Sequence, residues 1–246
     1  MYMKIKKNIP NFITCLNLAS GCIGIALATN NHLVFAAYFI GIAAIFDFMD
    51  GMLARILNVR SEMGKQLDSL ADMVSFGVLP GFILLGIFKM SIDPRIEFHF
   101  YLQYIAFVIP IFSALRLAKF NIDERQTDSF IGLPTPANAI LIGSLPLIIN
   151  LQIASNPENF HFLLNAILNT NFLIILTFLM SYLLIAEIPL FSMKVKSLKF
   201  KGNEYRYLLV IIAIILSIFL KFIAIPLIII FYIILSIINN LTKNEI

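Results

Sequence analysis

Charge is what this chain has little of. Of 246 residues only 13% are Asp, Glu, Lys or Arg, about half the share in a soluble globule, whereas 60% are hydrophobic and the mean hydropathy is +0.91. That balance excludes a water-soluble fold. Period-two alternation is missing as well, which excludes an outer-membrane barrel. Cysteine is confined to Cys15 and Cys22. Seven residues apart in one apolar segment, they share a helix face but lie too far apart along its axis for a disulfide, and they read as small packing residues. No linker, low-complexity tract or internal repeat interrupts the chain. The net charge of +4 would point to nucleic acid only if the basic residues formed a stripe, and they lie between apolar blocks instead. No nucleic-acid partner is expected.

What is present is a series of apolar runs near the roughly 20 residues that span a bilayer. They fall at about 11–29, 33–57, 65–88, 98–119, 134–152, 171–191, 206–221 and 223–240. The expected fold class is therefore an all-α polytopic membrane bundle of about eight spans in a single domain, 1–246. Lys221 and Pro226 divide the last apolar stretch into two. With the N-terminus inside, all but three of the 18 Lys and Arg residues (Lys89, Arg95 and Lys221) fall in segments on the inner side. This positive-inside bias predicts a protein of the cytoplasmic membrane with an even number of spans. Lys4, Lys6 and Lys7 before an apolar run imitate a signal peptide. Asn11, Thr14 and Asn17 within the run, and the lack of a small-x-small cleavage site, argue for a first span instead.

Four carboxylates break the apolar pattern: Asp47 and Asp50 in the second span, Asp68 and Asp72 at the start of the third. Each costs about 2.5–3.5 kcal/mol deep in a membrane helix on insertion scales. Spacings of three and four put each pair on one helix face. Antiparallel packing of the two helices would bring all four together near the inner boundary, where like charges need protons or cations between them. Carboxylate ligation suits hard divalent ions such as Mg²⁺ or Mn²⁺, and several acids can hold two. Gly51 and Ala54 leave the adjoining face almost bare, Arg55 offers a planar fork for a phosphate, and Ser61 adds a hydroxyl. These features describe a pyrophosphate site at a membrane surface. Small-xxx-small helix packing would explain Gly51, Ala54 and Gly64 but not the acids.

Written out, Asp47-x2-Asp50-Gly51-x2-Ala54-Arg55-x8-Gly64-x3-Asp68-x3-Asp72 resembles, at every position, the signature of the CDP-alcohol phosphatidyltransferase family. The resemblance implies a helical membrane enzyme, usually a homodimer with six core spans, in which an alcohol displaces CMP from a CDP-linked lipid. The core would be about 9–191, with extra C-terminal helices at about 206–240. Asp47, Asp50 and Asp68 are implied as ligands of two divalent metals, and Asp72 as the general base and a further metal contact. Gly51, Ala54, Arg55 and Ser61 match positions that hold the CDP-lipid.

Three segments are similar to the phosphatidylserine synthase branch: 9–18, where Asn11 and Thr14 approach the cytidine end; 68–80; and 116–121 together with 130–137. The last offers Arg116, Lys119 and Asn121 for a carboxylate, which serine brings and choline or glycerol does not. The stiff Gly-Leu-Pro-Thr-Pro segment beside it could shape a small site. The alternative is that Arg116 and Lys119 are ordinary positive-inside anchors. The implied reaction gives phosphatidylserine and CMP from CDP-diacylglycerol and L-serine by one sequential displacement. His32, His99 and His161 fall in predicted outer loops and offer no covalent nucleophile. Glu187, placed in span six before Pro189, is either a functional partner or a boundary ion pair. Rival readings are transfer to glycerol 3-phosphate or inositol, or to serine on an archaeal-type ether lipid, and, from another class, an ion-coupled transporter. Against the transporter stand acids near one surface and the absence of paired broken helices.

Overall fold

The computed structural model describes residues 2–59, 61–91, 97–123, 129–154, 161–191 and 203–244. Arg60, Arg95, Arg125, Lys194, Lys196, Lys199 and Lys201 of the charge pattern lie outside them. Two helices, α1 (Tyr2–Thr29) and α2 (Leu33–Ile56), form the first hairpin. Its turn follows from Asn31, whose φ of +62° is a left-handed conformation that asparagine tolerates. The Asn31 N–H bonds to Ala28 O at 3.0 Å and the His32 N–H to Leu27 O at 2.9 Å, so the last α1 carbonyls are satisfied where the chain reverses. The same device ends α2. Asn58 has φ +51°, and Val59 N–H reaches back to Ala54 O at 3.0 Å. Ser61 then caps α3 (Glu62–Asp72), its Oγ accepting from the Gly64 N–H at 3.0 Å.

Helix α3 runs through a π-helical stretch, Met73–Val78, into α4 (Leu79–Ser91), giving one 30-residue span. Pro80 has no N–H to give Phe76, and the ladder widens just before it. A similar cause acts in the next span. Pro110 cannot bond Ala106, and a 3₁₀ stretch, Gln103–Phe107, separates α5 (Glu97–Leu102) from α6 (Val108–Ile122). α7 (Thr135–Ala154) is the most buried of the long helices and packs against α2 and α4. α8 (His161–Ile167) and α9 (Thr170–Ile185) follow.

Helices lie at all eight expected spans, so the chain is an all-α polytopic membrane bundle. Six stretches are long and apolar enough to cross a membrane, and α9 is a shorter apolar helix of 16 residues. The expected sixth span, 171–191, is too long. Ala186 turns extended at ψ 140°, as the approach to Pro189 favours, and Glu187 lies beyond the helix, not in it. The chain next forms β2 (Pro189–Phe191), which pairs antiparallel with β1 (Ser129–Ile131) in the register Ser129 opposite Phe191. No strand was expected from the sequence. His99 and His161 likewise belong to the short helices α5 and α8, not to loops.

The stretch from 204 to 242 divides at Lys221, φ +51°, into α10 (Glu204–Leu220) and α11 (Ala224–Asn244). A straight helix would hold residues 206 and 232 about 39 Å apart. Here the Arg206 guanidinium and the Tyr232 ring both reach the Phe191 ring, at 5.9 and 5.2 Å, so the two helices fold back on each other.

Packing within lipid depends on close helix approach rather than on escape from water. Gly21 shows this on α1: a Cβ there would stand 2.9 Å from the Ser75 Cα. The other demanding glycine is Gly132, between β1 and α7, with φ +77°. Its N–H bonds Ile188 O at 2.9 Å, and Leu133 N–H bonds Leu183 O at 2.8 Å, tying this segment to the end of α9. A Cβ at Gly132 would lie 2.6 Å from Leu184 O. Gly132→Ala is therefore expected to destabilise the fold by about 1–3 kcal/mol, read as a lower melting temperature in detergent.

Candidate active site

The turn between α2 and α3, with α1 packed against both helices, directs the C-terminal part of α2 and the first turns of α3 toward one another. Asp47, Asp50 and Asp68 are thereby brought together, each offering an oxygen within 4.8 Å of the others. Asp50 is only 7% exposed, and its Oδ2 accepts from the Thr14 hydroxyl of α1 at 2.6 Å. Asp72, one turn after Asp68, falls outside the group of three. Its Oδ1 accepts from the Asn17 Nδ2 of α1 at 3.2 Å. Thr14 and Asn17, three residues apart on one face of α1, therefore each serve one carboxylate.

The donor set fits a hard divalent cation. Three carboxylates converge in an apolar bundle, and the ion pair found among the described residues joins Lys119 to Glu187, not a base to this triad. Arg55, the nearest arginine in sequence, directs its Nε at 2.9 Å to the Gly51 carbonyl of its own helix. Uncompensated, the like charges repel; an oxygen-liganded cation relieves that repulsion.

A cleft of about 540 Å³ opens beside the acids, walled by Pro10, Asn11, Thr14, Asp50, Gly51, Ala54, Val59, Ser61, Glu62, Gly64, Lys65 and Asp68. Six residues expected to meet a CDP-lipid were Asn11, Thr14, Gly51, Ala54, Arg55 and Ser61. Five of them line this cleft; Arg55, exposed on α2, is not among its wall residues. Nothing lies within 4 Å of where a Cβ of Gly51 would stand, so the α2 backbone is open to a bulky group. Gly64 matters in another way: a Cβ there would come within 3.1 Å of the Asn11 Oδ1 and 3.0 Å of the Ser61 Oγ, narrowing the cleft. Ser61 has a structural duty in addition, as the cap of α3.

Lys65 lines the cleft and was read from the sequence only as a loop cation; its Nζ donates to the Asn121 carbonyl at 3.0 Å. Its position one turn before Ser69 on the Asp68 helix was the available signal. Asn17 as the partner of Asp72 was also missed, although a polar residue three after Thr14 in an apolar span marks the same face.

Arg116, Lys119 and Asn121 lie on α6 and do not wall the cleft. Arg116 is buried, its Nε donating to Leu133 O at 2.9 Å and its guanidinium lying 5.7 Å from the centre of the Phe120 ring. Lys119 pairs with Glu187 at 3.1 Å, so Glu187 forms the boundary ion pair. Asn121 Nδ2 donates to Ser69 Oγ at 2.8 Å, which sets the end of α6 beside α3 between Asp68 and Asp72.

The chain is 35% identical over 143 residues to the CDP-diacylglycerol--serine O-phosphatidyltransferase of Helicobacter pylori, covering 54% of each chain. It is 38% identical over 128 residues to the protein of that name from Bacillus subtilis, covering 52% of this chain and 69% of that one. It is 34% identical over 142 residues to the one from Methanocaldococcus jannaschii, covering 58% and 62%. The chain spans about half the length of the Helicobacter relative it matches. The profile of the CDP-alcohol phosphatidyltransferases matches residues 7–219, a stretch that contains the whole acidic site and the cleft beside it, and the chain belongs to the CDP-alcohol phosphatidyltransferase family.

Proposed function

We propose that this protein transfers the phosphatidyl group of CDP-diacylglycerol to the hydroxyl of L-serine, giving phosphatidylserine and CMP. In this reading it works as a homodimer in the cytoplasmic membrane, with its N-terminus and active site on the cytoplasmic side. The observation that carries the reading is the acidic triad, two members of which, Asp50 and Asp68, stand in the wall of a 540 Å³ cleft beside an open stretch of α2 backbone. The names of its relatives support serine as the acceptor.

Asp47, Asp50 and Asp68, with Asp72 beside them, are the residues to hold two divalent ions, Mg²⁺ or Mn²⁺. Such ions neutralise a pyrophosphate and favour departure of the nucleotide. The chain's own residues do the rest. Gly51 and Ala54 leave room for the diphosphate along α2, Arg55 and Lys65 supply positive charge at the edges, and Asn11 and Thr14 face the nucleotide end. Asp72 accepts the proton of the serine hydroxyl. The serine oxygen forms its bond to the lipid-side phosphorus as the bond to the CMP oxygen breaks, and CMP keeps that electron pair.

Arg116 is assigned to the serine side. It is 5% exposed and hydrogen-bonded to carbonyls, and among the described residues no carboxylate lies within ion-pair distance of it. A buried guanidinium without a counter-charge is costly, and the carboxylate of serine supplies one. Lys119 and Asn121 complete that side, Asn121 through its contact with the Asp68 helix.

The direct test is CMP release from CDP-diacylglycerol by the purified protein with serine, glycerol 3-phosphate and inositol in parallel. Release with serine alone is expected; release with a different alcohol keeps the chemistry and discards the acceptor, and no release with any returns the acids to ion transport. Arg116→Ala is expected to raise the KM for serine at least tenfold and that for CDP-diacylglycerol less than twofold, and equal changes in both would remove it from the serine side. Thr14→Val, which removes the hydroxyl that orients Asp50, is expected to raise the half-saturating Mn²⁺ concentration by about 10–100-fold, measured by titrating the metal against activity and against melting temperature.

A further inference from the structure

We propose that Asn17 is the positioning residue for Asp72, holding one oxygen of that carboxylate so that the other faces the acceptor hydroxyl. The inference rests on the reading of Asp72 as the base. Asn17 is 0% exposed, on the α1 face that meets α3, and donates from Nδ2 to the Asp72 Oδ1 at 3.2 Å. The amide can point only one way here, because its carbonyl oxygen turned toward a carboxylate would repel it.

Two features fix Asn17 from behind. Its own backbone carbonyl accepts from the Ser75 hydroxyl at 2.9 Å, in the π-helical stretch that begins directly after Asp72. Gly21, one turn along α1, lets the helix close on the Ser75 backbone, with 2.9 Å left between a notional Cβ and the Ser75 Cα. Both ends of the Asn17–Asp72 hydrogen bond are thus carried on segments locked to each other.

Packing alone does not account for an asparagine at this place. Its Oδ1 is buried and has no hydrogen-bond partner, a state that costs about 1–3 kcal/mol and that an apolar side chain would avoid. Packing by itself would favour an apolar residue; a need for the Nδ2 donor at the Asp72 carboxylate explains why the amide is there.

The test uses Asn17→Leu, in the purified full chain, with CMP release as the rate and Mn²⁺ binding and melting temperature as independent readouts. The expected result is a kcat lowered about 10–100-fold, with both substrate KM values within about threefold of wild type and with Mn²⁺ affinity and melting temperature held. A kcat within threefold of wild type overturns the proposal. So does a loss of kcat that comes with a matching loss of Mn²⁺ affinity or of melting temperature, which would make Asn17 a structural residue. Should the leucine variant not accumulate, Asn17→Ala removes the donor without adding bulk and carries the same expectations. Asp72→Asn separates the two layers of the argument. Full activity in Asp72→Asn removes the base and this proposal with it. An inactive Asp72→Asn beside a fully active Asn17→Leu overturns the positioning role alone. Residual activity in Asp72→Asn should fall no further when Asn17→Leu is added.

Discussion

The carboxylate of Asp50 lies between two membrane helices at 7% exposure, and the Thr14 hydroxyl meets it at 2.6 Å. That contact expresses the constraint on which the rest of the bundle depends: a carboxylate taken out of water is costly unless a donor or a cation meets it. Helix α1 supplies the donors, through Thr14 and Asn17. The geometry of α2 and α3 invites the cation, through three oxygens within 4.8 Å of one another. Everything else in this half of the protein serves to bring those three helices together in register.

Register comes from small local devices. Asn31 and Asn58, both in the left-handed conformation, end α1 and α2 with the same pair of back-bonds. Ser61 starts α3 three residues after the second of them. The chain therefore reverses within a few residues at each end of α2, and α1 packs along both α2 and α3. Gly21 lets α1 rest on the Ser75 backbone, which brings Asn17 within reach of Asp72. On the opposite side Asn121 ties α6 to Ser69, and Gly132 and Leu133 tie the start of α7 to the end of α9. The cleft opens where this framework leaves α2 uncovered, at Gly51.

Much of this was legible in the sequence, because hydropathy and carboxylate spacing act over short distances. Eight apolar runs became helices, and of the four acids expected to converge Asp47, Asp50 and Asp68 come together, with Asp72 one turn away on α3 and held by Asn17 instead. What escaped were effects that depend on a distant partner. Span six ended early because Ala186–Ile188 are strapped to Gly132, far away in the chain, as well as facing Pro189. β1 and β2 are three residues each and exist only as a pair, so neither carries a periodic signal. Glu187 was readable as an acid but not as the partner of Lys119, and Lys65 was readable as a cation but not as part of a cleft wall. Asn17 looked like one more polar residue of the first span until Asp72 was seen beside it.

The claim that organises these observations is that the acids exist to hold metal. Titration of the detergent-purified protein with Mn²⁺, following free ion by electron paramagnetic resonance, tests it without reference to turnover. Saturable binding of two ions per chain, reduced by Asp50→Asn and Asp68→Asn and displaced by Mg²⁺, is the expected result. No saturable binding in a folded protein, or binding that both substitutions leave unchanged, would contradict it.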